Sequence, residues 1–67
     1  MSVVNNLRKI REDRGILQDD LAAGTGFCCR TISRVERGEC TPSAEFMLRV
    51  SAYLNMMVEE IFQVKES

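Results

Sequence analysis

The sequence predicts an all-α fold of five short helices forming a single domain over residues 1-67, and three observations lead there. Apolar residues recur three and four apart, the spacing that gathers them on one side of a helix. Glycines and other helix-stopping residues separate these runs. What is left between the runs is a few residues at a time, with no internal repeat. At 67 residues the chain is near the lower limit at which an unstapled hydrophobic core stands alone. Its 45% apolar and 28% charged content is that of a folded domain, not of a disordered chain.

Each element has its own reason. In "NNLRKIREDRG", Leu7, Ile10 and the stem of Arg14 fall on one face, Asn5 or Asn6 can cap the start, and Gly15 stops the run, so the first helix is expected over residues 6–14. "QDDLAAG" predicts a second, short helix with Leu21 and Ala22 turned inward and Gly24 at its end. Asp19 and Asp20 in its first turn suit the positive end of the helix dipole. A tight turn is expected at Thr25, Gly26 and Phe27. In "CRTISRVERG", Ile32 and Val35 lie three apart on one face, Arg30, Ser33, Arg34 and Arg37 lie on the other, and Gly38 ends the third helix. Ser43 caps "AEFMLRVSAYL", whose Met47, Val50 and Leu54 point inward and whose end falls at Asn55 in a left-handed conformation. "VEEIF" is a fifth helix of one or two turns, and "QVKES" a tail.

Composition excludes several classes of function. "MSVVNNLRK" lacks the apolar run of a signal peptide, and no stretch approaches the ~20 apolar residues of a membrane span, so a cytoplasmic protein without a membrane partner is expected. The net charge of −1 hides an asymmetry: residues 8–37 hold seven Lys/Arg against five Asp/Glu, and residues 38–67 hold two against five. The chain has three cysteines and no histidine. A structural zinc site wants about four thiolate or imidazole ligands. Adjacent Cys28 and Cys29 have Cα atoms about 3.8 Å apart, closer than the ~4.4 Å minimum of a disulfide, and Cys40 lies beyond a helix about 13 Å long. No metal, no cofactor and no internal disulfide are expected; the thiols are substituted surface or half-buried residues, with oxidation hindering function as the alternative. Catalysis is not expected either. No Gly-rich phosphate loop follows a strand, no cysteine has an activating base, and adjacent Glu59 and Glu60 diverge on their helix.

Two short helices around a glycine-containing turn, the second with a polar and basic outer face, form the layout of a helix-turn-helix reader of DNA. The segments "NLRKIREDRG", "QDDLA", Gly26, "TISRVERG", "TPS" and "YLNMMVEEIF" resemble the Cro/CI-type, or XRE, helix-turn-helix family, whose fold is the five-helix lambda-repressor-like domain. The likeness runs from Leu7 to Phe62. The "NNL" start and "YLN" element are similar to the very short repressors of that family, of the cytolysin-operon repressor kind. In that subgroup similar ends pair as a small two-stranded antiparallel sheet, which places Val3 and Val4 beside Gln63 and Val64.

The resemblance implies roles for individual residues. Gln18 stands where a glutamine opens the second helix and braces a DNA phosphate, and Leu17 departs from the Ser or Thr that usually caps it. Arg11 and Glu36 stand where a buried ion pair ties the first helix to the third, a structural role. Cys28 replaces a Ser or Thr cap, and Cys29 occupies the first base-reading position. Cys29, Arg30, Ser33 and Arg34 are expected at the base edges, and Gln18, Thr31 and Arg37 at the phosphates. One such module makes few base contacts, and a homodimer on two half-sites is the usual remedy; Met57, Val58 and Ile61 are the expected dimer interface. The expected function is sequence-specific, DNA-binding transcription regulation, as a repressor occupying a palindromic operator in double-stranded DNA. No length remains for a separate sensing domain, so control is expected through concentration, an anti-repressor or a small partner protein. Prophage, antitoxin and restriction-controller settings stay open. The alternative is a helical protein-protein interaction module without base readout, against which the donor-rich third helix speaks.

Overall fold

The computed structural model describes residues 2–65. In chain order they form β1 (Ser2–Asn5), α1 (Leu7–Asp13), α2 (Gln18–Thr25), α3 (Cys29–Glu36), α4 (Ala44–Leu54), α5 (Val58–Ile61) and β2 (Phe62–Lys65). The core holds Leu7, Leu21, Ile32, Val35, Val50 and Leu54, which the helical spacing selects, together with Phe46, Ile61 and Phe62, which it does not. No single helix supplies enough apolar surface to fold alone, so each element is stable only against the others.

The helix ends are largely those that local chemistry demands. Ser43 Oγ accepts the Phe46 N–H at 3.1 Å, and Asn55 adopts φ 56°, ψ 46°, so α4 is closed at both ends as expected. α1 starts one residue later than anticipated. Asn6 holds the cap position without a side-chain bond, and Asn5 Oδ1 accepts the Leu7 N–H at 3.1 Å instead. α2 differs more. Gly24 does not stop it; the helix runs through to Thr25 and ends at Gly26, whose φ of 81° is left-handed. Gly24 is there because of α4: a Cβ at that position would collide with the Tyr53 ring. Arg14 was expected to pack its stem on the core; it lies exposed and its Nη1 donates to the Leu54 carbonyl at 2.6 Å. On α4, Phe46 is the buried aromatic and Met47 is half-buried beside the core.

The termini form an antiparallel pair with Val3 opposite Val64 and Val4 opposite Gln63, the pairing expected. The segment read as a tail is therefore strand up to Lys65, and Glu66 and Ser67 lie outside the described residues. Phe62 leaves α5 at φ −118°, ψ 132°, which limits that helix to four residues. The reason is packing: the Phe62 ring is buried edge-on against Phe46, with centroids 6.4 Å apart. A lone two-stranded ribbon is marginal in water, and here Val3 packs on the helical core beneath it.

Candidate nucleic-acid interface

Three elements hold α3 in place, and the bonds are polar. Arg11 of α1 reaches Glu36 at the end of α3 with Nε to Oε2 at 2.7 Å and Nη2 to Oε1 at 3.3 Å, and its Nη1 donates to the Ile16 carbonyl at 2.8 Å. The Arg11 side chain is 11% exposed and that of Glu36 only 2%. The carboxylate, chiefly through its hydrogen bond, raises the guanidinium pKa further above its ordinary value. Gln18 Nε2 adds a third bond to Glu36 Oε1 at 2.9 Å. A fourth tie comes from β1: Asn5 Nδ2 donates to the Val35 carbonyl at 3.0 Å while its Oδ1 starts α1.

The turn between α2 and α3 is also braced. Thr25 Oγ1 donates to the Leu21 carbonyl at 2.7 Å, and Arg49 Nη1 of α4 donates to the Thr25 carbonyl at 3.2 Å while its guanidinium carbon lies 5.9 Å above the Phe27 ring. Glu45 steadies the same arginine at 2.8 Å.

With Ile32 and Val35 buried, the opposite face of α3 turns to solvent with Arg30 and Arg34 exposed. Among the described residues neither has an ion-pair partner, whereas Arg8, Arg11, Arg37 and Arg49 each do. Arg37 Nε meets Glu39 Oε2 at 2.9 Å, but both side chains are about half exposed. Such a pair contributes about 0–1 kcal/mol and yields readily to a phosphate. Ser33 is half-buried and lines a cleft of about 150 Å³ with Gln18, Arg8 and Arg37, between α1 and α3. Thr31, half-buried, has its Oγ1 3.2 Å from Cys28 Sγ.

Cys28 occupies the cap position of α3, and Cys29 opens the helix and donates to Asp19 Oδ1 of α2 at 2.6 Å. The Thr31 hydroxyl lowers the Cys28 thiol pKa, and the Asp19 carboxylate, through the hydrogen bond, raises that of Cys29. All three cysteines are free. Among the described residues no group of three or more His, Cys, Asp or Glu side chains is arranged to hold a metal, and no helix is long and apolar enough to cross a membrane.

Gln18 completes the Arg11–Glu36 cluster through one amide hydrogen, and its amide carries a second donor. One expectation needs correcting. Ile61 is 0% exposed, so its side chain serves this protomer's own core; Val58 is half-buried against that core, and Met57 alone of the three is well exposed, at 62%. Asn5 and Arg49 were missed as supports of the helix-turn-helix. The only signal for Asn5 was its nearness to a helix start, and nothing local marks Arg49.

A paired helix and reading helix joined at a left-handed glycine, with free cations on the outer face, define a helix-turn-helix protein. The profile of the helix-turn-helix family matches residues 7–61, and the chain belongs to that family, in its XRE branch. Among similar proteins is an HTH-type transcriptional regulator of Methanocaldococcus jannaschii, 29% identical over 58 residues that cover 87% of this chain and 88% of that one. Among solved structures, the restriction-modification controller protein C.AhdI from Aeromonas hydrophila is 30% identical with a TM-score of 0.76, over 81% of this chain and 82% of that chain. A Bacteroides fragilis protein, 21% identical with a TM-score of 0.81 over 91% of this chain and 98% of that one, shares the fold.

Proposed function

We propose that the protein is a sequence-specific, DNA-binding transcription regulator that acts as a repressor on a palindromic operator, with α3 in the major groove. The observation that carries this reading is the pair of exposed arginines, Arg30 and Arg34, without acidic partners among the described residues, on a helix held by the Arg11–Glu36–Gln18 cluster. Arginine can take guanine O6 and N7 together, and the N-terminal residues of the second helix in such motifs meet base edges. Arg30 is therefore the principal base reader, with Arg34, Ser33 and Cys29 beside it. Gln18 and the backbone N–H groups in the first turn of α2, with Arg37 and Thr31, address phosphates. The names of the relatives, HTH-type transcriptional regulator and restriction-modification controller protein, support the same class.

Two copies on half-sites about 34 Å apart supply the contacts that one small module lacks. With Ile61 in the core, the interface between copies is drawn from Met57 and the exposed edge of Val58. Footprinting on the DNA that flanks the gene tests the function: a protected, two-fold symmetric site is expected, and no protection at low salt overturns the reading. Sedimentation at tens of micromolar tests the dimer, and a species of 7.6 kDa alone excludes it.

A further inference from the structure

We propose that Asp19 is a specificity-determining residue, whose carboxylate selects a base pair that turns a cytosine amino group into the major groove. The inference rests on the DNA-reading assignment of α3 and goes beyond it, since Asp19 belongs to α2 and has an evident local role as an acid in that helix's first turn.

The position of the carboxylate follows from one contact. Asp19 Oδ1 accepts the thiol hydrogen of Cys29 at 2.6 Å, and Cys29 is the first residue of α3. The residues that open the second helix of such a motif meet base edges, so a group bonded to the Cys29 side chain is brought to the same edge. Asp19 is exposed, and among the described residues it forms no ion pair. A carboxylate offers acceptors only, and a thiol is a weak donor. An amino group on a base edge is a better one. Cytosine N4 is the major-groove group that Asp and Glu accept from; guanine and thymine turn acceptors toward the same place, and adenine sets its N7 acceptor beside its amino group, where a carboxylate is repelled.

The charge has a second effect. A carboxylate beside the phosphate backbone is repelled on every sequence, and only a site with the matching amino group offsets the repulsion. Asp19 thus separates operator from random DNA mainly by weakening the wrong sites. Arg30, the residue after Cys29, suits guanine, so the two side chains ask for opposite edge chemistry.

Selection from a pool of randomised duplexes, run with the wild type, Asp19→Ala and Asp19→Asn, tests this. The wild type is expected to enrich cytosine about five- to tenfold at one position of each half-site. Asp19→Ala should reduce that preference to within about twofold and bind a scrambled duplex more tightly. Asp19→Asn should move the preference at that position to adenine, because an amide pairs with adenine N6 and N7; a merely helix-capping role would leave every base preference in place. Unchanged thermal melting of the exposed-site variants separates misfolding from altered readout. If the wild type enriches a sequence and both Asp19 variants enrich the same one, the role of Asp19 is refuted while α3 remains a reader. If the wild type enriches nothing and binds duplexes without salt dependence, the DNA-reading assignment and this inference fall together.

Discussion

The two halves of the molecule share one apolar core but differ in the polar bonds around it. From β1 to the end of α3, Leu7, Leu21, Ile32 and Val35 are joined by buried or half-buried polar groups with directional bonds: Arg11, Glu36, Gln18, Asn5 and Thr25. From α4 onward, the interior is Phe46, Val50, Leu54, Ile61 and Phe62, with Ser51 as the buried polar side chain. An apolar contact tolerates small shifts, because burial has no preferred direction. A bidentate guanidinium–carboxylate pair does not, because its two bonds fix angle as well as distance. The half that carries the exposed Arg30 and Arg34 also carries the directional bonds. The difference fits a role for the buried pair in orienting α3, since replacing such a pair by apolar residues is often neutral or stabilising.

Breaking the polar half should have the largest effect. Glu36→Ala leaves Arg11 buried without its carboxylate, which typically costs about 3–5 kcal/mol, a large fraction of what so small a domain has. Urea unfolding should show the variant mostly unfolded near room temperature. A loss below about 1 kcal/mol would mean that water solvates Arg11 in place and that the cluster does not hold α3. Asn5→Ala comes next. It removes both the start of α1 and the tie to the Val35 carbonyl, and a loss of about 1–2 kcal/mol is expected in the same experiment. Ser43→Ala, on the apolar half, removes one cap bond and should cost about 1 kcal/mol; an equal or larger loss than for Asn5→Ala would erase the contrast between halves.

Gly24 lies at the seam between the two halves, against Tyr53 of α4. Gly24→Ala should destabilise by about 1 kcal/mol, because overpacking against Tyr53 exceeds the gain in helix propensity. In a Tyr53→Ala background the same change should stabilise by up to about 1 kcal/mol. Thermal melts of the four proteins check for this reversal of sign. The smallest effect concerns the thiols. With the Cys28 pKa lowered and the Cys29 pKa raised, the thiolate of Cys28 appears at lower pH. Alkylation by iodoacetamide should therefore rise with pH earlier at Cys28 and run several-fold faster there near pH 8, as read by peptide mass mapping. Equal rates would mean that the Thr31 and Asp19 contacts do not persist in solution.

Much of this architecture is legible in the sequence, and the exceptions share a cause. The inward faces follow from spacing at Leu7, Leu21, Ile32, Val35, Val50 and Leu54, and both ends of α4 follow from Ser43 and Asn55. Those signals are local. The Arg11–Glu36 contact and the pairing of Val3 with Val64 were legible only through likeness to a family, because they join distant parts of the chain. Gly24 was misread as a stop because a glycine looks the same locally whether it ends a helix or admits a ring from another one. Ile61 is a core residue where an interface is expected, because the four-residue α5 offers no periodicity by which to tell core from surface, and Phe62 opens β2 where helix is expected. Asn5 and Arg49 act through carbonyl groups of distant residues, and backbone acceptors carry no mark in a sequence.

In the proposed function α3 reads bases through Arg30, and Arg37 grips the phosphates. The most direct test is the affinity of the wild type, Arg30→Ala and Arg37→Ala for a selected operator and for a scrambled duplex, across a series of salt concentrations. Arg30→Ala should lose about 1–3 kcal/mol on the operator and relax preference at one symmetric base position. Arg37→Ala should weaken operator and scrambled duplex alike, with the slope of log K against log salt shallower by about one per subunit. If neither substitution changes affinity at low salt by more than about twofold, where a single good base contact is worth far more, both arginines are solvated charges and α3 does not read DNA.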